Sequence, residues 1–174
     1  MKIISKFVIL FFIAGIFATS CSKDDSNASD LNATDTNFMQ MAAYANHDEI
    51  SFAQLALMQS TNDTVKAFAQ KMITDHTMGL NGLDSLASKY NLTLPTDIDS
   101  MHAALKTNLM TLSGVTFDTA YINGQVKDHQ TVISLFQKEQ SNGSNQNIKA
   151  FATRNLPMLQ MHLQAADSIK ATLP

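Results

Sequence analysis

From residue 35 onward, apolar positions recur at the three- and four-residue spacing of amphipathic helices. Four long segments carry that period. The first, 35–60, aligns Phe38, Ala42, Ala45, Glu49, Phe52, Ala56 and Gln59 on one face and opens on Asp35, a side chain suited to an N-cap. The second, 63–90, starts on Asp63 and aligns Val65, Ala69, Met72, His76, Gly79, Leu83, Leu86 and Tyr90. A third, about 117–140, carries Ile122, Gln125, His129, Val132, Phe136 and Glu139. The fourth, 146–173, carries Ile148, Ala152, Asn155, Leu159, His162, Ala166, Ile169 and Leu173. Pro157 lies inside this last segment. It orphans the carbonyl of Thr153 and predicts a bend.

The connections decide the topology. Two residues separate the first pair of segments, so they form an antiparallel hairpin. The run Ser141-Asn142-Gly143-Ser144-Asn145 turns the third into the fourth. Between the hairpins, residues 91–116 are too long for a turn; Pro95 ends the second helix, and residues 99–112 suit a short helix of their own. A 26-residue helix is about 39 Å long, a length this connection can span. The expectation is an all-α, ferritin-like four-helix bundle over residues 35–174, made of two antiparallel hairpins joined by a long crossover with a short helix. The alternative is an up-down-up-down bundle with a decorated loop. Strand-period alternation, Gly-rich phosphate loops and Gly-x-Ser-x-Gly elbows do not occur.

Ahead of the helices the pattern changes. Lys2 and Lys6 precede an apolar run, Phe7 to Ala18, and small residues lead to Cys21. Residues 1–20 read as a secretory leader, too short to span a membrane comfortably. The small triplet ending at a cysteine resembles the lipobox of bacterial lipoproteins, which makes Cys21 the expected lipid-attachment site. It is the single cysteine of the chain, so disulfides and thiolate metal sites are excluded. Ser22-Lys23-Asp24-Asp25 resembles the acidic signal that exports lipoproteins to the outer face of the outer membrane. Residues 21–34 then form a polar, aperiodic tether. The expected location is the outer membrane, with the bilayer as partner through the lipid. Protein partners are not legible.

Without the leader the chain has ten basic and fifteen acidic residues, a net charge of −5. That balance offers no electrostatic footprint for nucleic acid. Neither a nucleophile–base pair nor paired catalytic carboxylates can be read, which leans the expectation away from an enzyme.

Chemistry concentrates in the seams. Glu49, His76, His129 and His162 each fall near the middle of a helix, in one layer roughly 4 Å thick. A carboxylate in a dry core is costly unless paired or metal-bound. Three imidazoles and one carboxylate converging from four helices would ligate one transition metal, such as zinc, copper or iron. Asp75 and Asp128, one residue off the seams, are candidate partners for neighbouring histidine rings or outer ligands of the ion. A hydrogen-bonded polar layer that only sets helix register is the other reading. His47 points away from its seam, and His102 lies in the crossover. The ten methionines read as flexible core filler.

Three blocks in order, VKAFAQKMITDH (Val65 to His76), TFDTAY (Thr116 to Tyr121) with KDHQ (Lys127 to Gln130), and LPMLQMHL (Leu156 to Leu163), resemble the bacterial family described as domain of unknown function 4142. The resemblance covers about residues 36–173. It implies an exported, ferritin-like domain without an established activity, sharing Glu49, His76, Asp118, Tyr121, His129, Pro157 and His162. The Glu-x-x-His pattern of di-iron oxidases is missing: Ile73, Val126 and Leu159 stand three residues before the histidines.

Overall fold

The computed structural model describes residues 31–174, and among them there are five helices and no strand. These are α1 (Ala33–Gln59), α2 (Asp63–Tyr90), α3 (Ser100–Leu109), α4 (Gly114–Asn142) and α5 (Gln146–Lys170). The leader, Cys21 and the first part of the tether lie outside the described residues. None of the described helices is long and apolar enough to cross a membrane.

Helix α1 starts earlier than its apolar pattern. Asn32, not Asp35, is the N-cap, and the two residues form a reciprocal capping box. The same Asp35 carboxylate also accepts from Ser144 N, Ser144 Oγ and Asn145 N, tying the start of α1 to the α4–α5 turn. At the start of α2, the Asn62 side chain accepts from Thr64 N and Val65 N. That helix ends on Asn91, whose left-handed backbone (φ 52°) stops it. Helix α5 runs unbroken through Pro157.

The four long helices pack side by side: α1 against α2 and α4, and α5 against the same two. Two apolar clusters fill the space between them. One gathers Phe52, Val65, Met72, Phe117, Tyr121 and Ala166; the other gathers Phe38, Leu83, Phe136, Ile148, Phe151 and Leu159. The starts of α2 and α4 share the first cluster, so the two helices run in the same direction and the chain between them must travel back along the molecule. Helix α3 makes that return on the outside. None of its residues is fully buried. It is held to α1 by Lys106 Nζ donating to Ser51 Oγ at 2.6 Å and Gln59 Nε2 donating to the Met110 carbonyl at 3.2 Å.

Candidate metal centre

Between the two apolar clusters lies a polar layer, with Asn46 and Glu49 from α1, Asp75 and His76 from α2, Gln125 and His129 from α4, and His162 from α5, all buried. Apart from Gln125, which lies within the first cluster's stretch of α4, each stands at the depth where its helix passes from one cluster to the other. Burial here demands that every polar atom find a partner.

The three histidines face one another. Their ring centroids are 5.7 Å apart for His76–His129, 5.4 Å for His76–His162 and 5.4 Å for His129–His162, nearly an equilateral triangle. One ring nitrogen from each lies within 4.8 Å of the other two. The outer nitrogens are spoken for, and their partners dictate the tautomers. Asn46 Nδ2 donates to the Ala42 carbonyl at 2.6 Å, which turns Asn46 Oδ1 toward His76 Nδ1 at 3.1 Å. That ring nitrogen is therefore the N–H, and His76 Nε2 is a bare, buried lone pair with no partner among the described residues. His129 Nδ1 donates to the Gln125 carbonyl at 2.9 Å. His162 Nε2 donates to Asp75 Oδ2 at 2.8 Å, and Lys71 Nζ holds the same oxygen at 2.8 Å. In these tautomers His129 Nε2 and His162 Nδ1 are both acceptors, and they stand 3.4 Å apart. A tetrahedral ion with imidazole bonds near 2.0–2.1 Å sets its ligands about 3.3 Å apart.

The protonation states suit ligation. Burial pushes all three imidazoles below their usual range: His162 to about 4, His129 lower than normal and His76 well below it. They are neutral at pH 7 and carry lone pairs. Asp75 is penalised by burial, but Lys71 and His162 hold it below the usual carboxylate range, so it stays an acceptor for His162. An outer carboxylate, amide or carbonyl on each ring is the arrangement that orients metal-ligating histidines.

Gly79 makes room for one of these partners. A Cβ there would sit 2.7 Å from Asn46 Oδ1. Gly79→Ala should displace that amide and free the His76 ring, and imidazole ¹⁵N spectra should show loss of the single Nδ1–H tautomer. An unchanged tautomer would contradict the assigned role of Asn46.

Of the side chains expected from the sequence, His76, His129, His162 and Asp75 come together. Glu49 does not join the triad. It stands behind His129, with Oε1 3.4 Å from His129 Nδ1, while Oε2 accepts from Gln125 Nε2 at 2.6 Å. Burial, with the charge of Asp128 nearby, pushes the Glu49 carboxyl up to about 8. Asp128 serves no triad ring; its Oδ1 is 3.7 Å from His102 Nε2. His102, set aside on its sequence position, is the centre of a second cluster. Its Nδ1 lies 2.7 Å from Asp99 Oδ2 and 3.1 Å from Asp48 Oδ2. Asp128, Asp99 and Asp48 together raise its imidazole to about 9, against the penalty of burial. The available signal was Asp99 three residues before His102, a helix N-cap facing the first turn.

The model of a family described as a domain of unknown function, DUF4142, matches residues 21–169, and the chain belongs to that family. Among solved structures, it is similar to a DUF305 fragment from Deinococcus radiodurans, with a TM-score of 0.74 over 82% of this chain and 99% of that one. At 12% identity this is a likeness of fold. Among curated proteins, none matches the chain.

Proposed function

We propose that this DUF4142 member is an envelope-anchored metal-binding module, holding one transition-metal ion on the imidazoles of His76, His129 and His162 at the centre of a ferritin-like four-helix bundle. The observation that carries the reading is the direction of the three rings. Each spends one nitrogen on a protein acceptor, and one nitrogen from each lies within 4.8 Å of one from each of the others. Were the layer only a hydrogen-bonded spacer, His76 Nε2 would be an unsatisfied buried acceptor, at a cost of roughly 1–3 kcal/mol.

Neutral imidazoles suit zinc, copper and iron. Glu49 stands behind His129 without ligating, its carboxyl kept mostly neutral at pH 7 by burial. A void about the size of one water molecule lies on the Asn46 side of His76, lined by Asn46, Gly79, Asn155 and Met158, and does not reach His129 or His162. The bundle assignment is supported by the packing of each long helix against two neighbours and by the outside return of α3. Anchoring is supported by the apolar leader ending at the lone Cys21, where the family match also begins.

Elemental analysis of the chain purified without a histidine tag tests the reading. The expected result is one transition-metal ion per chain, lost in the double variant His76→Ala, His129→Ala. Substoichiometric metal, unaffected by those substitutions, would refute it.

A further inference from the structure

The far side of Glu49 opens onto a different chemistry. Where the start of α3 crosses between α1 and α4 there is a cavity of about 360 Å³. Its walls include Met41, Tyr44, Val132 and Leu135. Its floor is acidic: Asp48, Glu49, Asp99 and Asp128 surround the single imidazole of His102. No lysine or arginine lines it. Lys106, the nearest basic residue along α3, is turned away onto Ser51. His102 serves Asp99 and Asp48 through one nitrogen, and Asp48 Oδ1 takes the Asp99 N–H at 3.1 Å. The other ring nitrogen stays 3.7 Å from Asp128, beyond hydrogen-bond reach. The cavity thus sets four carboxyl groups around one imidazole; burial leaves Glu49 mostly and Asp48 about half protonated at pH 7, and Asp128 keeps the longest contact with the ring.

We propose that this cavity binds a small organic cation: a protonated amine on an apolar stem. Its volume falls in the range of small-molecule sites and far exceeds a bare ion. A divalent metal would use the carboxylates and leave the apolar walls without a role. An anion is repelled by the floor. A neutral apolar guest would remove water from the carboxylates and return no charge to them. An ammonium head gives Asp128 and its neighbours N–H donors, while the stem lies along Met41, Val132 and Leu135. The site shares Glu49 with the surroundings of His129, but none of the three triad rings lines it.

The test is isothermal titration of the purified full-length chain with hexylammonium, with 1-hexanol, hexanoate and zinc as parallel titrants. The expected result is saturable hexylammonium binding, about tenfold or more tighter than hexanol, with no hexanoate binding. Asp128→Asn should weaken the amine about tenfold. Thr131→Trp, an exposed rim substitution that leaves the core untouched, should block it. Absence of hexylammonium binding, equal affinity for hexanol, or indifference to both variants would overturn the proposal. So would zinc that displaces the amine and is itself weakened by Asp128→Asn, since that assigns the acidic floor to a metal ion. Chelator treatment should not change the amine titration, so a failure here is separable from a failure of the triad.

Discussion

Zinc added to the metal-stripped chain should raise its melting temperature by roughly 10–15 °C once free metal exceeds the dissociation constant about a thousandfold. Binding to the folded state alone contributes RT ln(1 + [L]/Kd), about 4 kcal/mol at that ratio. For a chain of this size each kcal/mol moves the midpoint by about 3–4 °C. The gain depends on all three imidazoles, because two remaining nitrogens leave the ion short of ligands and the third direction filled by hydrocarbon. His162→Ala should therefore abolish the shift. His47→Ala should retain it in full, since His47 takes no part in the triad. Differential scanning calorimetry with and without zinc reads both outcomes. A shift that survives His162→Ala would place the stabilising ion elsewhere.

The second large effect is the pH dependence that the triad histidines impose on the metal-free chain. The three imidazoles are buried neutral, and their folded-state pKa values lie below the unfolded value of about 6.5. Between pH 6.5 and the folded values, the unfolded chain takes up protons that the folded chain refuses. The histidine contribution is therefore full above about pH 6.5 and is lost as pH drops toward 4. His162 alone, held at about 4, contributes roughly 3 kcal/mol to that loss. The buried acids act in the opposite sense. Burial raises Asp48 to about 7 and Glu49 and Glu139 to about 8, so their contribution is full below their unfolded values and is lost as pH rises through 7–8. Between about pH 4.5 and 6.5 the three histidines and the three acids act in opposite directions and largely cancel, so the expected profile is nearly flat there and declines toward pH 8, where the acids act alone. Replacing all three triad histidines with glutamine removes the opposing group, so urea titrations at pH 4–7 should then show stability falling as pH rises. A profile unchanged by that replacement would contradict the burial of neutral rings.

How much of this was legible in the sequence varies by element. The span 63–90 matches α2 because a cap residue, an unbroken apolar period and a left-handed Asn91 bound it on both sides. The start of α1 was misplaced because Asn32 sits in a polar stretch with no apolar period, and its cap is closed by Asp35 folding back. Helix α4 begins at Gly114 and runs to Asn142, beyond both ends of its apolar stripe, since a helix can continue where its face no longer needs burying.

The polar layer was legible in depth but only partly in direction. A seam position fixes which face a residue occupies and how far along the helix it lies. It does not fix the rotamer. Glu49 shares the layer, yet it pairs with Gln125 on the neighbouring helix and backs His129 instead of joining the triad. Asp75 was legible as the outer partner of a histidine because it stands one residue off the seam, and it reaches across to His162 on α5. Asp128, in the same kind of position, turns to His102. That contact depends on where the crossover lays α3, and the path of a 26-residue connection is not encoded in any local period. The acidic cavity was invisible for the same reason: it exists only once α3 lies against α1 and α4.

X-ray absorption at the zinc edge of the reconstituted chain tests the central claim most directly. Three imidazole nitrogens at about 2.0–2.1 Å, with one light-atom ligand completing the shell and no sulfur, is the result this geometry predicts. A first shell dominated by carboxylate and water oxygens, or imidazole scattering that persists when His76, His129 and His162 are all replaced, would contradict it.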